Sequence, residues 1–173
     1  MTPRALFLSG AVVFTMAMVL GMTRTEETAV AGPFVAGQVT TRTYDVSGPD
    51  LATVERQMNR QGPFGHWAYA RTSWDWDDAC NVTFKARITL PKLVNRHRLD
   101  AAELAEWDRM IAVLTEHEMN HVRIGQGWAT AIKRAGCDPA AIKRINREWR
   151  GKDGAYDRRT GHGRTEGVYL TKP

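Results

Sequence analysis

The chain has 173 residues, a formal net charge of +5, 43% hydrophobic and 25% charged residues. This balance excludes a disordered tail and a multi-span membrane protein, and it leaves enough apolar material for one sizeable core. No internal repeat or low-complexity block interrupts it, so a single domain is expected.

Residues 1–31 read as an export signal. Arg4 supplies a positive start, residues 5–22 are uncharged and mostly apolar, and Ala29-Val30-Ala31 offers a small-x-small cleavage site. The expected mature domain is residues 32–173, about 140 residues long. The apolar stretch is also just long enough to cross a bilayer, so an uncleaved N-terminal anchor to the cytoplasmic membrane is the second reading. Either way the domain is expected outside the cytoplasm, in the periplasm or secreted. It stays basic without the leader, because Arg4 and Arg24 cancel Glu26 and Glu27.

After the leader, residues 38–46 alternate β-branched and polar side chains and predict a strand. Ser47-Gly48-Pro49-Asp50 breaks it. Leu51, Val54 and Met58 then share one helical face, and Gly62-Pro63 ends that helix. Residues 67–76 and 82–90 are dense in aromatic and β-branched residues around a polar turn and predict an antiparallel hairpin. Trp67, Tyr69, Trp74 and Trp76 in it are read as packing residues before a carbohydrate platform.

Asp100, with Glu103 three residues on, forms a capping box that opens the longest element. Leu104, Trp107, Ile111, Leu114, Glu118, His121, Gly125, Trp128 and Ile132 follow in steps of three and four, so one face of one long helix carries them all. Gly136 stops it. Asp138-Pro139 starts a second helix with Ile142 and Ile145, which Gly151 is expected to close. The fold class that results is α+β: a small antiparallel sheet packed against a long helix and a second C-terminal helix.

Cys80 and Cys137 are the only cysteines, and both lie in the exported part. They are expected to pair, because oxidising compartments preserve disulfides and no CxxC spacing points to a metal. Closing a loop of that length contributes about 4 kcal/mol in the chain-entropy model.

The long helix contains His117-Glu118-Met119-Asn120-His121. A four-residue step puts both imidazoles on one face, where they can chelate a single zinc ion, and Glu118 beside them can take a proton from water. Polar groups within an otherwise apolar stripe need partners, and metal coordination satisfies several at once. The metzincin continuation is absent, with Ile124 and Gly127 where glycine and histidine would stand. For the third ligand, Glu148 is the one glutamate on the next helix, and His162 lies in the glycine-flanked loop Gly161-His162-Gly163. His66 and His97 read as structural or solvent-facing.

The chain resembles the predicted secreted zinc-dependent proteases of bacteria, a domain of unknown function numbered nine hundred twenty-two. The resemblance rests on Tyr44-Asp45-Val46-Ser47-Gly48, Gly62-Pro63, Trp74 and Trp76, Cys80, Leu90-Pro91, Trp107, Leu114, the HExxH residues, Cys137, and Tyr156-Asp157-x-x-Thr160-x-His162-Gly163. It implies His162 ahead of Glu148 as third ligand. It also places Asp157 near the site, orienting a ligand histidine or binding zinc itself, and Tyr156 as a hydrogen-bond donor to a developing oxyanion.

The expected function is that of an exported zinc-dependent hydrolase, a metallopeptidase acting on a peptide or an envelope polymer amide, with Glu118 as general base. Two other readings fit the same residues: a non-catalytic zinc-binding envelope protein, and a basic envelope-binding module. In the latter, Lys143-Arg144, Arg147, Arg150 and Arg158-Arg159 would meet an anionic surface. No nucleic-acid partner is expected.

Overall fold

The computed structural model of the protein describes residues 27–30 and 35–171. Most of the expected leader, and the cleavage position after Ala31, lie outside them. The first described strand, β1 (Glu27–Val30), pairs antiparallel with β2 (Gly37–Val46). Then come α1 (Leu51–Gln61), the hairpin β3 (Tyr69–Trp76) and β4 (Val82–Leu93), the long α2 (Ala101–Arg134), and α3 (Pro139–Thr160). The α+β class is as the sequence predicts. Among the described residues, no helix is long and apolar enough to cross a membrane.

The sheet order is β1-β2-β4-β3. β3 and β4 form the expected antiparallel hairpin, Tyr69 opposite Thr89 and Trp76 opposite Val82. β2, however, runs parallel to β4, so the sheet is mixed rather than wholly antiparallel. Strand alternation marks which side of a strand is buried and carries no information on the direction of its neighbour. β2 and β4 are the two inner strands, and Phe84, Ala86, Ile88 and Leu90 of β4 are buried in alternation.

Each helix begins where a side chain caps it. Asp50 accepts from the Thr53 N–H at 2.7 Å, Asp138 accepts from Ala141 at 2.7 Å, and Asp100 with Glu103 closes a reciprocal capping box. α1 buries Leu51, Val54 and Met58. α2 packs on β3 and β4 through residues that include Leu114, Val122 and Ala129, and it meets β3 so closely that a Cβ on Gly125 would stand 2.7 Å from the Thr72 side chain. Cys80 and Cys137 form the expected disulfide, tying the β3–β4 turn to the α2–α3 junction and favouring an oxidising compartment.

Gly151 does not end the last helix. α3 continues through Gly151 and Gly154 to Thr160 and stops at Gly161, which takes the left-handed conformation with φ 56°. A helical glycine costs only about 1 kcal/mol relative to alanine. Here Ile145, Tyr156 and Thr160 are buried along the same helix and offset that penalty. The consequence is functional, because Asp153 and Asp157 become neighbours one helical turn apart instead of members of a loose tail.

Candidate metal centre

The HExxH segment lies in the middle of α2, where the helix faces the N-terminal end of β3 and the C-terminal half of α3. His117 is 4% exposed and Glu118 is 6% exposed. Each imidazole is held from behind by its own carboxylate. His117 donates from Nδ1 to Glu166 Oε2 at 2.8 Å, and His121 donates from Nδ1 to Asp153 Oδ1 at 2.8 Å. A carboxylate can only accept, so these bonds place a proton on each Nδ1 and turn both Nε2 atoms forward; without a metal the His121 Nε2 also donates to Asp157, and both ring nitrogens of His121 are then protonated.

Both Nε2 atoms converge on Asp157. Its Oδ1 lies 3.0 Å from His121 Nε2 and 3.5 Å from His117 Nε2. These three donors lie within 4.8 Å of one another and could hold a metal ion. The spacing fits the donor chemistry: ligands about 2.0–2.1 Å from a tetrahedral ion stand roughly 3.3 Å from each other. Two imidazoles and one carboxylate also form a donor set typical of open zinc sites. Asp153, Asp157, Glu166 and Glu118 surround the two rings with negative charge, the sign that attracts a cation.

The electrostatics follow from burial and from these neighbours. Burial raises the Glu118 carboxyl to about 7; His121 and the Ala70 backbone N–H oppose the rise, and Asp157 and Asp153 add to it. At His121 burial disfavours the charged ring, but the hydrogen bond to Asp153 and the charges of Asp153, Asp157 and Glu118 outweigh it and raise the pKa.

Tyr156 stacks on His117, with ring centroids 5.0 Å apart, and stands edge-on to His121 at 5.1 Å. Its hydroxyl donates to Glu166 at 3.0 Å and accepts from the Asn120 amide at 2.9 Å, and burial lifts its pKa to about 12. The hydroxyl therefore secures the carboxylate that holds His117, which differs from the oxyanion position expected of it.

His162 stands on the rim between two left-handed glycines, itself at φ 54°, with its side chain 61% exposed and Nδ1 3.6 Å from Asp157 Oδ1. The compact donor group is His117, His121 and Asp157, and His162 stands beside it at the rim, near the same Asp157 oxygen. Glu148 is not brought near: it lies on the exposed face of α3 and pairs with Lys152 at 2.6 Å. His66 reaches the cleft, its ring 5.1 Å from that of His162, whereas His97 is exposed elsewhere. The basic residues Lys143, Arg144, Arg147, Arg150, Arg158 and Arg159 are all exposed on α3.

Asp153 and Glu166 went unrecognised in the sequence. Asp153 stands four residues before Asp157, a helical spacing that an expected stop at Gly151 conceals. Glu166 sits in a short 3-10 turn after α3 and shows no local pattern at all. That turn presses on the site, since a Cβ on Gly163, at φ 82°, would stand 2.6 Å from Val168 and 3.2 Å from His117.

The cleft in front of these groups has a volume of about 340 Å³ and is lined by His66, Ala70, Glu118, His121, Asp157 and His162 among others. Fold and site together define an α+β domain with a helix-borne His-His-Asp cluster open to a cleft. The chain belongs to the family described as bacterial protein of unknown function (DUF922), whose family model matches residues 41–163. The matched region contains the HExxH residues, Asp153, Asp157 and His162 and ends before Glu166. No curated protein and no solved structure matches the chain.

Proposed function

We propose that the protein is an exported zinc-dependent amide hydrolase of the metallopeptidase type. The observation that carries this reading is the convergence of His117 Nε2, His121 Nε2 and Asp157 Oδ1 on one point beside Glu118, at the wall of an open cleft. A structural zinc site is closed by four protein ligands, whereas three ligands beside a cleft leave a position for a reactant. Bound zinc would supply Lewis acidity, bringing the ionisation of a water to near neutral pH and polarising an amide carbonyl.

The protein's own groups provide the rest. Glu118, whose carboxyl burial raises to about 7, takes the proton from the attacking water and returns it to the leaving amine. Asp153 and Glu166 fix the tautomers of His121 and His117. His162, opposite Asp157 on the rim, is assigned to the developing oxyanion rather than to the metal, because it is exposed and stands outside the compact donor group.

Glu118→Gln tests the reading, with zinc content and amide hydrolysis measured on the same preparation. Retained zinc with hydrolysis lost is the expected result. Unchanged hydrolysis in that variant would overturn the mechanism, and a wild-type protein that binds zinc but cleaves no amide would leave only a metal-binding protein.

A further inference from the structure

The face of the sheet turned away from α2 carries a cluster of unneutralised cations. Thr72 and Trp74 of β3 meet α2 at Gly125 and Trp128. Side chains alternate along a strand, so Tyr69, Arg71 and Ser73 project from the other side. On β4, Ala86 and Ile88 are buried while Lys85 and Arg87 are exposed. Arg71 stands directly opposite Arg87, Lys85 is one row along, and Arg42 on β2 lies diagonal to Arg87, opposite Thr89.

All four cations are exposed, and among the described residues none of them forms an ion pair. Asp75, at the hairpin end of the same face, pairs with none of them. Neighbours on such a grid are about 5–8 Å apart, and like charges directly opposite across two strands are destabilising. A face that keeps this repulsion without a carboxylate to relieve it complements an anionic partner.

The same face ends in exposed aromatic surface. Tyr69 is 39% exposed, and Phe64 packs on it with ring centroids 4.8 Å apart. Phe64 is 78% exposed and held at φ 54°, a left-handed backbone that a bulky residue rarely adopts. Strained positions of this kind cluster at ligand contacts. A soluble polyanion would satisfy the cations but offer nothing to the phenyl ring. A lipid bilayer offers both, phosphates for the cations and an apolar layer beneath them for an aromatic tip.

From this arrangement we infer that the face docks on an anionic lipid bilayer, with Arg42, Arg71, Lys85 and Arg87 at the headgroup phosphates, Tyr69 at the interface and Phe64 inserted. Tyr69 also lines the cleft, so docking sets the cleft rim against the bilayer. The inference does not depend on what the cleft catalyses.

Co-sedimentation of the full-length chain with phosphatidylcholine vesicles containing about one-third phosphatidylglycerol tests it. Vesicles of phosphatidylcholine alone report the contribution of the apolar residues 5–22, which every variant shares. The chain should prefer the anionic vesicles, and the preference should vanish as salt rises from about 0.05 to 0.5 M. Arg42→Gln, Arg71→Gln and Arg87→Gln together should lower the partition coefficient about 100-fold, at about 5-fold per cation. The thermal midpoint of that variant should hold or rise, because repulsion is removed. Phe64→Gly, at a φ that glycine takes freely, should lower the coefficient about 10-fold. Arg144→Gln, Arg147→Gln and Arg150→Gln on α3, which packs on α2 away from the sheet, should bind as wild type.

No preference for anionic vesicles, undiminished binding by the sheet variant, or equal losses in both triple variants would overturn the assignment. Inorganic polyphosphate bound through Arg71 and Arg87 with no vesicle binding would overturn it too, giving the face to a soluble polyanion. Should the sheet variant fail to fold, Phe64→Gly and the salt dependence decide.

Discussion

His117 Nδ1 lies 2.8 Å from Glu166 Oε2, although 49 residues separate them in sequence. The bond turns the His117 Nε2 lone pair toward Asp157, and Tyr156 and Asn120 in turn hold this arrangement. Carboxylates that orient ligand histidines are typically worth about 10- to 100-fold in metal affinity. Glu166→Ala should therefore weaken zinc binding by roughly that factor, measured by competition with a chelator. Affinity equal to wild type would show that His117 needs no such support.

The segment carrying Glu166 is anchored to α2 by a clamp. Arg109 donates to the Gly167 carbonyl at 2.9 Å and the Tyr169 carbonyl at 2.7 Å, and Glu106 accepts from the Thr171 N–H at 2.6 Å and from Arg109 at 2.7 Å. The hydrogen bond from Arg109 is the largest influence on Glu106 and lowers its carboxyl to about 2. A folded-state pKa below the ordinary value contributes stability above that ordinary value and loses it as pH falls. The difference in thermal midpoint between metal-free wild type and Glu106→Gln should be full at pH 6 and shrink between pH 4.5 and 2. A difference that grew on acidification would contradict the clamp.

The disulfide joins positions 57 residues apart and fixes the β3–β4 turn to the end of α2. Replacing both cysteines by alanine should reduce stability by about 2–5 kcal/mol in chemical denaturation. Zinc content of the folded fraction should persist, because His117, His121 and Asp157 lie on α2 and α3 away from the bond. Loss of zinc in a folded double variant would show that the disulfide also shapes the site.

At Gly125, α2 packs closely on β3. Gly125→Ala places a methyl 2.7 Å from the Thr72 side chain, so either the helix or the strand must move. Overpacking of this kind costs about 1–3 kcal/mol. An alanine variant as stable as wild type, by the same denaturation assay, would show that the contact is loose.

Local patterns made much of this protein legible in its sequence. The capping residues Asp100 and Asp138 start helices where expected, the hairpin has its expected strands, and the four-residue step of His117 and His121 sets them on one helical face. The parallel pairing of β2 with β4 was not legible, because alternation encodes burial and not strand direction. The surroundings of the histidines were only partly legible. A glycine at 151 looks like a helix stop until the burial of Tyr156 and Thr160 is known, and without that helix Asp153 and Asp157 share no face. Glu166 acts through a tertiary contact from a short turn, which no periodicity announces.

The most direct test of the central claim is zinc content per chain, by elemental analysis of wild type, His121→Ala, Asp157→Ala and His162→Ala. The account predicts one zinc in wild type, its loss in His121→Ala and Asp157→Ala, and its retention in His162→Ala with amide hydrolysis reduced. Zinc lost in His162→Ala but kept in Asp157→Ala would contradict the His-His-Asp assignment, and a wild-type chain with no affinity for zinc would contradict the metal centre itself.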